Sequence, residues 1–189
     1  MGAEHLLARA VLEEAHRLFV DEVRELSIEE ALDAANGYRS ILGILKHTAA
    51  WSAVYRSYAF DDDPRHWDRI DWPRGLRDRI EPSEEYLHEV FGWFERSAAG
   101  WLDDVAEPAD LASVRPVHWG EEAPLREIVA MVAGHWSYHA GEINEILSIR
   151  RQEAWEYTEE VEENHIDTTG HGLRPAWMTD EEAAEHERR

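Results

Sequence analysis

The chain is 189 residues long, 43% hydrophobic, and carries a net charge of −22 from 41 acidic and 19 basic residues. That length suits one domain with a substantial core, and no apolar run nears the ~20 residues that a membrane span needs. A field of this sign repels phosphate backbones, so no nucleic-acid partner is expected, and without cysteine any metal must be held by His, Asp or Glu.

Four segments carry a helical period. The first covers about residues 4–26, with Leu7, Val11, Ala15, Leu18 and Val23 as its apolar seam and Glu13, Glu14, Arg17 and Glu22 left for water. Ser27-Ile28-Glu29-Glu30 reads as a capping box for a brief turn, and Asn36-Gly37 breaks the chain before a second helix over about 38–60. Asp61-Asp62-Asp63-Pro64 stops that helix. The connection that follows, with Trp67, Trp72, Pro73 and Pro82, is long enough to lie over the end of the structure or to wall a pocket.

Ser83, Glu84 and Glu85 open a third helix whose seam is Leu87, Phe91, Phe94, Ala98, Trp101 and Val105, the alternation of threes and fours of a bundle helix. A second long link, with Pro108, Pro116 and Gly120, leads to Pro124 and a fourth helix that runs to about Gln152. The tail loosens at Asp167-Thr168-Thr169-Gly170-His171-Gly172, has Trp177 and Met178 as an anchor, and closes on a short helix capped at Thr179. No strand-like alternation stands out. The expected architecture is all-α: a four-helix bundle over 1–152 with two long connections, then a C-terminal extension over 153–189. The N-terminus, Met1-Gly2-Ala3-Glu4-His5, lacks the basic flank and apolar stretch of a secretory signal, which makes the cytoplasm the expected location.

The fourth helix carries the chemistry. Its seam is Leu125, Ile128, Val132, His135, His139, Glu142, Ile146 and Ile149, so three polar residues point into an apolar core. A buried imidazole or carboxylate is costly without a partner. His135 and His139 are one turn apart, ~6 Å of rise, which lets both rings meet one ion. Eleven histidines would produce about 0.6 such pairs by chance, so the position in the seam, more than the spacing, gives the pair its weight. The second helix adds His47 on the face shared by Ile44, Trp51, Val54 and Tyr58. Three protein ligands leave one coordination position open, the pattern of a catalytic metal site. The competing reading is three core histidines paired with Tyr, Glu or backbone. It serves for any one of them and less well for three together.

The stretch Gly134-His135-Trp136-Ser137-Tyr138-His139-Ala140-Gly141-Glu142-Ile143 resembles the helix-four motif of the DinB-like superfamily, and Leu45-Lys46-His47-Thr48-Ala49-Ala50-Trp51 resembles its helix-two motif. The resemblance covers about residues 4–152. It implies a four-helix bundle with a His-triad metal site, commonly zinc or nickel, and often a homodimer. It also implies kinship with thiol-dependent transferases and isomerases, such as mycothiol-dependent maleylpyruvate isomerases, whose partners are small thiols like mycothiol and bacillithiol. Many relatives have Gln where this chain has Glu142, and some isomerases place a Glu among the ligands. Glu142 is therefore open as a ligand, a base or a partner to a ligand.

Two Glu-x-x-His sequences, Glu13 to His16 and Glu85 to His88, match a di-iron pattern but fall off the apolar seams and are expected to face water. His5, His66, His118 and His186 read as solvated. His165 and His171, with Arg174, belong to a tail read as solvated and anchored by Trp177. The leading function is thiol transfer or isomerisation at His47, His135 and His139, with Glu142 or a bound water moving the proton. Trp51, Tyr55, Tyr58 and Trp136 would wall the pocket, and each is equally explained as packing. A non-catalytic metal-binding or stress-response protein and a metal-dependent hydrolase share every one of these residues.

Overall fold

The computed structural model describes residues 2–34, 39–70, 72, 81–106 and 109–151. They form helices α1 (Ala3–Val23), α2 (Ile28–Ala31), α3 (Ile41–Phe60), α4 (Glu84–Asp104) and α5 (Leu125–Arg151), with strands β1 (Val114–Pro116) and β2 (Glu122–Pro124) before the last helix. The Asn36-Gly37 break and the tail from Gln152 onward lie outside the described residues. No helix among those described is long and apolar enough to cross a membrane.

Serine starts three of the helices, because its hydroxyl accepts one of the N–H groups that a helix end leaves unpaired. Ser27 and Glu30 make the reciprocal capping box: Ser27 Oγ accepts from Glu30 N at 3.3 Å, and Glu30 Oε2 from Ser27 N at 3.1 Å. Ser83 accepts from Tyr86 N at 3.2 Å. Ser40 accepts from Gly43 N at 3.1 Å, so α3 begins at Ile41, three residues later than its apolar pattern suggests.

The four long helices close a ring in which α1 packs on α5, α5 on α3, α3 on α4, and α4 back on α1. The two helices that carry His47, His135 and His139 are thus neighbours. The first helix corrects the sequence reading. Its buried stripe is Leu12, Ala15, Phe19, Val20 and Val23, while Leu7, Val11 and Leu18 are exposed. Both stripes have helical spacing. Phe19, which meets Phe94 of α4 with ring centroids 4.5 Å apart, is on the side turned inward.

Two indoles fill the centre. Trp101 and Trp136 are fully buried, and a buried N–H must find an acceptor. Ser52 serves both: its carbonyl accepts from Trp101 Nε1 at 3.0 Å and its Oγ from Trp136 Nε1 at 2.6 Å. The hydroxyl itself donates to Thr48 O at 2.8 Å, the back-bond open to a serine inside a helix.

The described part of the connection after α3 packs on the bundle, with Ile70 buried, Trp67 on Trp72 at 4.7 Å and Trp72 on Trp93 of α4 at 5.1 Å. The second connection holds the hairpin of β1 and β2, which no sequence alternation announced. Val114 pairs with Pro124 and Pro116 with Glu122, and Gly120 turns the chain at φ 92°. Three-residue strands with a proline each are too short for a period to register.

Candidate metal centre

From α3 comes His47, and from α5 come His135 and His139. His135 Nε2 stands 3.4 Å from His47 Nε2 and 3.2 Å from His139 Nε2. One nitrogen from each ring falls within 4.8 Å of the others, and among the described residues these three histidines form a group that could hold a metal ion. Nitrogens bound tetrahedrally to zinc at ~2.0–2.1 Å lie ~3.3 Å apart, so the spacing is that of a ligand set.

Hydrogen bonding among the rings does not account for this convergence. Glu142 Oε2 lies 2.7 Å from His139 Nδ1. A carboxylate accepts, so Nδ1 carries the proton and a neutral His139 faces the triad with a bare lone pair on Nε2. His135 Nε2 meets two nitrogens at once and has at most one proton to offer, while its Nδ1 is buried without a partner among the described residues. All three rings are held toward the neutral form that a metal needs. Burial, then the neighbouring His139, pushes His47 down to about 4 and His135 to about 3. His139 is lowered by burial against the upward pull of Glu142. Arg39 Nη2 reaches the same carboxylate at 3.4 Å.

Aromatic rings surround the triad on one side. Trp51 lies against His47 at 6.2 Å and Tyr55 against His135 at 5.8 Å, and the two rings stack at 5.3 Å. Tyr58 is one layer further out, edge-on to His66 and His118. Burial raises the Tyr55 phenol above its usual range. Trp136 belongs elsewhere. One residue past His135, ~100° round the helix, it is sealed between Phe94 and His16 and lines no opening.

Three histidines read as solvated, His5, His16 and His118, are not. His118, on the turn between β1 and β2, packs on Trp51 at 4.5 Å and Tyr55 at 5.2 Å, one ring removed from the triad. Its Nδ1 is buried without a partner among the described residues, and burial followed by the nearby His66 lowers its pKa. Nothing periodic marks a residue in a hairpin turn, so only the fold-back of that connection reveals it. His16 is half-buried, stacked on Phe94 and 2.8 Å from Glu95 Oε1. Glu13, its partner in the Glu-x-x-His pattern, binds Arg9 at the surface instead. His5 reaches Ala109 O at 2.7 Å, Glu85 and His88 are exposed, and His66 is exposed beside Trp51. His165, His171, Arg174 and His186 lie outside the described residues.

A family model described as mycothiol-S-transferase matches residues 7–147. No curated protein and no solved structure matches the chain. The match runs from the first turns of α1 to the last turns of α5 and takes in all three converging histidines. The chain belongs to the mycothiol-S-transferase family, a DinB-like family.

Proposed function

We propose that the protein is a metal-dependent thiol transferase that joins the sulfur of a mycothiol-type thiol to a small electrophile. The observation that carries this is the convergence of three neutral imidazole nitrogens, 3.2 and 3.4 Å apart, from two adjacent helices. His47, His135 and His139 would hold a divalent ion, zinc or nickel, and leave a position open for the thiol. Such an ion supplies Lewis acidity, which lowers a thiol pKa that is ~8.5 in free solution and so favours the thiolate. Glu142 keeps the proton of His139 on Nδ1 and so aims the Nε2 lone pair. That makes it a positioning residue in this reading. Trp51, Tyr55 and Tyr58 exclude water from one side of the site, and His118 extends that wall.

Isomerisation through the same activated thiol, metal-dependent hydrolysis and non-catalytic metal binding use the same residues. The family match favours transfer among them. The reading also takes the protein to be a cytoplasmic homodimer. It treats 153–189 as an extension of a 1–152 bundle, with support from a family match that stops at residue 147.

The test is spectroscopic. Cobalt-substituted protein should develop a sulfur-to-metal charge-transfer band when mycothiol is added, and His47→Ala should weaken it. If neither mycothiol nor another low-molecular-weight thiol alters the cobalt spectrum, the transferase reading fails.

A further inference from the structure

On α3, Arg56 and Ser57 line a cavity of about 460 Å³ that α4 completes with Trp93, Arg96 and Ser97 and the following connection with Arg65 and Trp72. None of these residues belongs to the His47, His135 and His139 group. The volume falls in the ~300–1,000 Å³ range of small-molecule sites. Three of the chain's 19 basic residues meet here, in a protein of net charge −22 whose surface otherwise disfavours anions.

Two of the three arginines are held by acids. Arg56 Nε donates to Asp104 Oδ2 at 2.7 Å, an interaction that leaves its terminal NH2 groups available. The guanidinium lies across α4 at Gly100, where an added Cβ would come within 2.7 Å of Arg56 Cζ and Nε. Glycine weakens a helix relative to alanine, and here it gives the flat guanidinium its bed. Asp61, the acidic residue in the lining, is already engaged. It accepts from Ser57 Oγ at 2.7 Å and faces Arg65 Nη2 at 3.5 Å. Arg96 is exposed and pairs with no acid among the described residues.

We propose that this cleft is a second ligand site, for a small anion carried on a flat ring. Guanidiniums present paired N–H donors matched to a carboxylate or a phosphate. The indoles of Trp72 and Trp93, 5.1 Å apart and tilted by 50°, supply apolar faces for the ring. Binding here is independent of the metal centre and goes beyond thiol transfer.

The experiment is calorimetric titration of the chelator-treated full chain with salicylate and with adenosine monophosphate. Salicylamide and inorganic phosphate are the controls for charge and for ring. At least one ring-bearing anion should bind with a Kd under about 1 mM, and both controls should bind at least about 10-fold more weakly. Salicylate alone would assign a carboxylate ligand, and adenosine monophosphate alone a phosphate ester. Arg96→Ala, at an exposed position, should weaken binding about 5-fold or more, Arg96→Lys should restore part of it, and His135→Ala should leave it unchanged. The proposal is overturned if neither anion binds, if a control binds as well as its parent, if Arg96→Ala has no effect, or if His135→Ala abolishes binding.

Discussion

Glu142 Oε2 and His139 Nδ1 lie 2.7 Å apart, one turn along α5, with the carboxylate on the side of the ring that faces away from the other two histidines. That contact assigns the tautomer of His139. Glu142→Ala should therefore weaken metal affinity by about 10–100-fold, while Glu142→Gln, whose amide oxygen can still accept, should retain most of it. Competition against a chelating dye measures both. Equal affinity in the wild type and Glu142→Ala would show that the carboxylate has no hold on the ligand.

Metal content follows from the same geometry. Purified protein should carry one ion per chain at this site, and His135→Ala and His139→Ala should each lose most of it. Elemental analysis decides. Variants that keep the wild-type content would place the metal elsewhere.

Removing the metal should leave the fold standing. The core of Phe19, Leu45, Phe94, Trp101, Trp136 and Ile143 is fully buried without help from the triad. Chelated protein should keep its far-ultraviolet helical signal and melt at a lower temperature, unlike a zinc finger, which unfolds without its ion. Loss of helicity on chelation would make the ion structural.

Chelated protein should also lose stability as the pH falls below 6.5. His47 and His135 take a proton near 4 and near 3 when folded, against 6.5 when unfolded. Between those values the unfolded chain binds more protons, so acid favours unfolding. The contribution is complete above pH 6.5 and is lost progressively down to about pH 3. Urea midpoints at pH 7.5 and 5 should differ more for the wild type than for the His47→Ala/His135→Ala double variant. An equal pH dependence in the two proteins would contradict the prediction.

Ser52→Ala should destabilise the fold by about 1–3 kcal/mol, because Trp136 Nε1–H loses its acceptor in a site that water cannot reach. Trp101 keeps the carbonyl of residue 52 and should be unaffected. A urea midpoint unchanged from the wild type would mean that the indole finds another acceptor.

Much of this was legible in the residues. Ser27 and Ser83 mark helix starts because a hydroxyl before a helical run satisfies local N–H groups, an interaction that needs nothing distant. His135 and His139 share a face because four residues make about one turn, and His47 announces itself by standing in an apolar seam. Tertiary structure decided the rest. Helix α1 carries two stripes of helical period, Leu7-Val11-Leu18 and Leu12-Ala15-Phe19-Val23, and only packing against α4 and α5 selects the second. Trp136 and His135 are adjacent in sequence, yet one enters the core and the other the triad, since neighbours on a helix diverge by ~100°. His118 reaches Trp51 and Tyr55 through a hairpin whose strands are three residues long, so its place beside the triad depends on contacts some sixty residues apart in the chain, which no local pattern encodes.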